Sequence, residues 1–221
     1  MFDMGVGRMA LLDASADMLC VAREKFAVEI KANKVSAIAQ TSLPKIPFDD
    51  GTFDAVLLNT VLHHLPSGSG RNFFHAVETL KEARRVLQPD GVIAITLLLD
   101  TSSTNAWFLN LSPEILDKIC SVSPSAEEWN KMVFAAGLKC LLKTNLHGFG
   151  LLGDEDYIEY NNIFKQEWRN SIVMFEHTTK EEIEHVSQKV KSLHMKGEIK
   201  GWIKDHDKTQ QFGFISLFLC Q

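Results

Sequence analysis

The stretch LPKIPFDDGTFDAVLLNTVLHHL, Leu43 to Leu65, decides how the chain is read. Pro44 and Pro47 hold its approach extended, because each fixes its own φ and pushes the preceding residue out of the helical region. Asp49-Asp50-Gly51 forms a turn, with Gly51 free to take positive φ. Phe53-Asp54-Ala55-Val56-Leu57-Leu58 is then a nearly continuous apolar run of strand length, which predicts a parallel strand covered on both faces. Asn59 and Thr60 end it at the carboxyl edge, where open α/β sheets bind ligands.

Outward from this strand, short apolar runs alternate with helical patterns. Met9 to Asp13 (MALLD) predicts a strand ending in a carboxylate. Ser15 follows as an N-cap, with Met18, Leu19, Ala22 and Phe26 at helical spacing. Val35 to Ala39 is a second short strand. After the polar connection Pro66 to Gly70, a helix is expected over Asn72–Leu87, stopped by Pro89-Asp90-Gly91, and Val92–Leu99 is another covered strand. This alternation implies βαβ units and a parallel sheet. Further on, Ser112–Cys120 begins like a helix with Pro113 in its first turn, and Ser125 and Thr179 open capping boxes with Glu128 and Glu182. The second of these helices carries Ile183, Val186, Val190 and Leu193 on one face and ends at Gly197. Leu138–Leu146 and Gly213–Cys220 are strands, and Gly148–Asp156 reads as a loop. The connection between those strands, about 65 residues, is too long for a hairpin.

Three blocks carry a family resemblance. Ile46-Pro47-Phe48, Asp50-Gly51-Thr52-Phe53-Asp54 and Leu62-His63-His64-Leu65 form one; Glu82-Ala83-Arg84-Arg85-Val86-Leu87-Gln88-Pro89-Asp90-Gly91 forms a second; Leu12-Asp13-Ala14-Ser15-Ala16-Asp17-Met18-Leu19 forms a third. In this order and spacing they resemble class I S-adenosylmethionine (SAM)-dependent methyltransferases of the small-molecule, type 11-like kind. The resemblance implies an α/β, Rossmann-like, doubly wound and mostly parallel seven-stranded sheet, and methyl transfer from SAM to a small-molecule acceptor. It treats residues 1–221 as one domain, with 148–210 a helical insertion and possible lid.

The resemblance also assigns candidate residues. Asp13 at a strand tip can accept hydrogen bonds from both ribose hydroxyls of a nucleotide-like cofactor, or else serve the adjacent helix N-terminus. Ala14 lies beside it, and Met18 packs either beside the adenosine or in the core. Ser42, followed by Leu43, stands where the family usually places an adenine-binding Asp. Asn59 and Thr60 fall where the methionine part of SAM is held. His63, His64 and His147 are the candidate bases, since imidazole titrates near neutrality. Tyr157 and Tyr160 lie in the region of substrate-side groups, and His177 reads as surface. Asp3-Met4-Gly5-Val6-Gly7 is either a remnant of the family's glycine-rich turn or the loop entering the second strand, with the first strand-helix unit absent. The second reading is adopted, so the sheet is expected to lack that unit and the chain to be N-terminally truncated.

Composition narrows the alternatives. The 221 residues are 45% hydrophobic and 23% charged, as in one globular domain. A net charge of −5 gives no general attraction for nucleic acid, and no apolar run approaches the roughly 18 residues that span a bilayer. Without a signal peptide pattern, and with Cys20, Cys120, Cys140 and Cys220 scattered, the expectation is a cytoplasmic protein with reduced thiols and no metal site. Two rivals remain: an NAD(P)-dependent oxidoreductase, whose ribose Asp13 could equally serve, and a non-catalytic methyltransferase-like interaction or regulatory protein.

Overall fold

The computed structural model describes the chain except for residues 1, 3, 4, 66–70, 149–152, 173, 174, 176 and 177. Among the described residues six strands form two sheets rather than one. β1 (Met9–Asp13) and β2 (Val35–Gln40) pair in parallel, connected through α1 (Ala16–Lys25) and the short α2 (Ala27–Lys31). In the second sheet, ordered β3-β4-β6-β5, β3 (Phe53–Asn59) runs parallel to β4 (Leu87–Leu97). β6 (Ile215–Cys220) lies antiparallel between β4 and β5 (Cys140–Leu146).

The α/β class is as expected, but the sheet is mixed and divided. Its antiparallel half has a topological cause. The segment after β5 leaves at Leu146 and returns at Ile215, which pairs with Leu146, so β6 enters from the end where β5 leaves and must run backwards. The break falls between β1 and β3, which share no backbone ladder. β3 is therefore an edge strand. The expectation that it is covered on both faces is overturned: Leu58 is buried, whereas Asp54, Ala55, Leu57 and Asn59 are exposed.

α3 (Phe74–Val86) buries Ala76, Leu80, Ala83 and Val86; the sequence's helical spacing of Phe73, Ala76, Val77, Leu80, Ala83 and Leu87 marks the same side. Pro89-Asp90-Gly91 does not end this helix. It lies inside the irregular start of β4, where pairing slips from Phe53 opposite Leu87 to Ala55 opposite Val92. Gly91 is required there, since a Cβ would sit 2.8 Å from Leu87 Cδ2 and 3.0 Å from the Asp54 carbonyl oxygen.

Beyond β4 come α4 (Asp100–Ser103), α5 (Pro113–Val122) and α6 (Ala126–Ala135). The capping boxes at Ser125–Glu128 and Thr179–Glu182 both form as read. The stretch after β5 holds α7 (Asp154–Ile158), α8 (Gln166–Asn170), α9 (Lys180–Met195), α10 (Ile199–His206) and α11 (Thr209–Phe212). α7 thus starts inside the expected Gly148–Asp156 loop. These helices have a core of their own, in which Trp107, Phe108, Trp168, Phe175, Val186, Val190 and Phe214 pack together. A second core, under α3 and the larger sheet, joins Leu58, Leu62, Leu80, Ile93, Ile95, Leu97, Trp129 and Phe218.

Candidate active site

Asp13 closes β1, and its carboxylate Oδ1 accepts the Ser15 amide at 2.8 Å. Ser15 Oγ in turn accepts the Met18 amide at 3.3 Å, capping α1. The Asp13 carbonyl accepts the Thr41 amide at 3.1 Å, and Gln40 Nε2 donates to the Ala14 carbonyl at 3.2 Å. The ends of β1 and β2 are thereby tied together, and Ser42 and Leu43 follow directly. Among the described residues no hydrogen bond engages Asp13 Oδ2. Met18 is 57% exposed, which removes the core reading for it. Ser42 is exposed, while Leu43 is half-buried and packs on the sheet core.

The loop after Leu43 is held from α3. Arg85 donates to the carbonyls of Ile46 and Phe48, each at 2.9 Å, and to Asp50 at 2.7 Å. Glu82 Oε2 accepts the Ile46 amide at 3.4 Å and one Arg85 nitrogen at 2.9 Å. The carboxylate and guanidinium favour each other's charged forms, so Glu82 titrates below and Arg85 above its ordinary value. Both residues stood in the sequence block that carried the resemblance, but their spacing could not show that they grip a loop some 35 to 39 positions upstream.

At the tip of β3 the Thr96 hydroxyl is the hub. It donates to Asn59 Oδ1 at 2.8 Å and accepts the Thr60 amide at 2.8 Å, and Thr60 takes positive φ (48°). Thr96 was not singled out as a site residue, although its interruption of the Val92–Leu99 run was the visible signal. Leu12, Leu43 and Val61, the neighbours of Asp13, Ser42 and Thr60, all pack on the core that holds Ile46, Leu58 and Leu62. The strand end and both loops therefore rest on one hydrophobic base.

The histidines differ. His63 lies in the 3₁₀ turn Leu62–His64, its Nδ1 is buried without a hydrogen-bond partner, and its ring centroid is 4.3 Å from that of His64. Burial first and His64 second lower its pKa to about 4, so it is neutral at physiological pH. His64 is exposed. His147 is also exposed, and its Nδ1 is 3.0 Å from the Gln210 carbonyl, at the end of β5. Tyr157 is a core residue: its hydroxyl donates to Asp207 Oδ2, its carbonyl accepts Trp107 Nε1, and burial raises its pKa. Tyr160 pairs with His194 Nδ1 at 2.7 Å. The substrate-side reading of Tyr157 is thus set aside by its packing, and His177 lies outside the described residues. No group of three or more His, Cys, Asp or Glu among the described residues could hold a metal ion.

Parallel βα units carrying ligand candidates at their carboxyl ends, followed by an antiparallel pair, define the class I methyltransferase type of α/β fold. Residues 1–95 match the family described as methyltransferase domain. The match covers the first two-fifths of the chain, the whole chain has the class I methyltransferase fold, and neither rival reading is favoured. Solved structures with this fold include a protein of Anabaena variabilis described as a methyltransferase from an antibiotic biosynthesis pathway (13% identity, 97% of this chain and 90% of that one, TM-score 0.69). Another is a Bacillus halodurans protein described as a methyltransferase (18%, 99% and 84%, 0.56). A third, from Galdieria sulphuraria, is described as a sarcosine dimethylglycine methyltransferase (17%, 96% and 69%, 0.51). No curated protein matches the sequence. No helix among the described residues is long and apolar enough to cross a membrane.

Proposed function

We propose that this chain transfers a methyl group from SAM to a small-molecule acceptor, with the donor held by Asp13, Ala14, Met18, Ser42, Leu43, Asn59 and Thr60. The observation that carries the reading is Asp13. One carboxylate oxygen is anchored on the Ser15 amide at a strand's carboxyl end, which leaves the other able to accept from a ligand's hydroxyl groups. The residues around it fit an adenosine: an exposed apolar Met18, an exposed hydroxyl at Ser42, and Leu43 seated on the core.

When bound, the sulfonium donor supplies an electrophilic methyl group open to in-line displacement. The protein's task is orientation and exclusion of water, so no nucleophile or metal is required. Asp13 accepts the ribose hydroxyls, Ser42 meets the adenine edge, and the Thr96-fixed turn at Asn59 and Thr60 holds the amino-acid part. His63 is neutral and can accept a hydrogen bond from the acceptor substrate. With so low a pKa it is a weak proton acceptor, so it orients rather than abstracts. His64 and His147 stay weaker candidates. The helices of 148–210 begin and end at the carboxyl side of β5 and β4, which supports their role as a cover over the acceptor. Small acceptors agree with the descriptions of the Anabaena and Galdieria proteins.

Isothermal titration with SAM and its demethylated product tests this. Binding by the wild type and at least a tenfold weakening in Asp13→Asn, with an unchanged thermal midpoint, is the expected result. A wild type that takes up neither ligand at millimolar concentration overturns the proposal.

A further inference from the structure

The four cysteines are far apart in sequence, yet two of them meet. Cys140 opens β5, Cys220 closes β6, and they are direct cross-strand partners. The preceding pair, Lys139 and Gln221, exchanges both backbone hydrogen bonds, at 2.7 and 2.9 Å. The next step along an antiparallel ladder is a pair without backbone bonds, where Cα atoms approach to about 4.5 Å. That spacing lies within the roughly 4.4–6.8 Å that a disulfide bridges. Both side chains are on the same face: Cys220 is fully buried in the sheet core, and Cys140 is half-buried against it, its thiol donating to the Leu142 carbonyl at 3.3 Å. Both are free thiols in this structure.

We propose that Cys140 and Cys220 form a dithiol site that a low-molecular-weight disulfide oxidises to a reversible cross-strand bond. The half-exposed Cys140 reacts first. Its thiolate attacks one sulfur of the reagent, forms a mixed disulfide and expels one thiolate. The Cys220 thiolate then attacks Cys140 Sγ and expels the second. The protein loses two electrons and two protons, and the reagent leaves as two thiols. Burial, and Cys140 next, push the Cys220 thiol up to about 12, so the second step is slow at neutral pH and accelerates as pH rises. The bond ties the exposed edge strand β5 to the buried β6. It also closes the long loop that contains α7 to α11, and long loops are where a cross-link most restricts the unfolded chain.

The test incubates the full-length protein with oxidised glutathione and maps its peptides without reductant. The expected product is lighter by two hydrogens, contains a peptide linking Cys140 to Cys220, melts several degrees higher than the reduced protein, and reverts with dithiothreitol. Cys140→Ser, shown to melt like the reduced wild type, should gain nothing from the oxidant. A glutathione adduct on Cys140 that never resolves, a linkage through Cys20 or Cys120 instead, or an equal gain in Cys140→Ser overturns the proposal.

Discussion

β1 and β4 are both parallel strands of the same fold, and their sequences, MALLD and VIAITL, look alike in apolar content. Their surroundings do not. Every residue of β1 is only half-buried, whereas Ile93, Ile95 and Leu97 of β4 have no exposed surface. β4 has a strand on each side and α3 above it; β1 has β2 alone and touches the main core through Leu12. The difference teaches that Asp13 stands on the less supported of the two sheets, while the Asn59–Thr96 turn stands beside the best supported strand of the other.

Core truncation breaks that comparison most strongly. Ile95→Ala should cost about 2–5 kcal/mol in urea denaturation, because a cavity opens in a fully packed layer. Leu12→Ala should cost only about 1 kcal/mol, since its site is partly solvated already. Equal losses would mean that β1 is as firmly held as β4.

Acid comes next. His63 titrates at about 4 when folded and near 6.5 when unfolded, so between those values the unfolded chain binds the extra proton. Stability conferred by neutral His63 is complete above pH 6.5 and is lost as pH falls towards 4, on the order of 3 kcal/mol in all. The lowered carboxylates Glu82, Glu114, Glu128 and Glu182 act differently: their contribution is present above about pH 4.5 and fades below it. The window from 4.5 to 6.5 therefore isolates His63. Replacing it in His63→Gln should flatten the slope of unfolding free energy there; an unchanged slope would refute the neutral, buried imidazole.

A smaller effect is expected at the loop clamp. Arg85→Gln leaves the Ile46 and Phe48 carbonyls and Glu82 without their cation, for a loss of about 1–2 kcal/mol. Hydrogen exchange should rise at the Ile46 and Phe48 amides and stay constant in β6. Exchange that spreads evenly through the sheet would show that the clamp supports the whole domain. Smallest is Thr96→Val, which removes the hub of the β3 tip at about 1 kcal/mol and should weaken donor binding more than folding.

Much of this was legible in the sequence because it is local. The N-cap at Ser15, both capping boxes, the stripe of α3 and the carboxylate ending β1 depend on residues within a turn or two of each other. The cover on β3, the direction of β6 and the grip of Arg85 on residues 46–50 were not legible, since each depends on partners tens of positions away. Met18 shows the limit well: helical spacing admits a core residue, and only the fold leaves it 57% exposed.

By itself the sequence determined the alternation of strands and helices, the methyltransferase resemblance of its first half, and the identity of the carboxylate at position 13. The tertiary structure alone decided which side chains are covered, which cysteines meet, and which ring nitrogen is left without a partner. The physical reason is range. Backbone propensity and capping act over a few residues, whereas burial and cross-strand pairing are set by whichever distant segments the fold brings alongside.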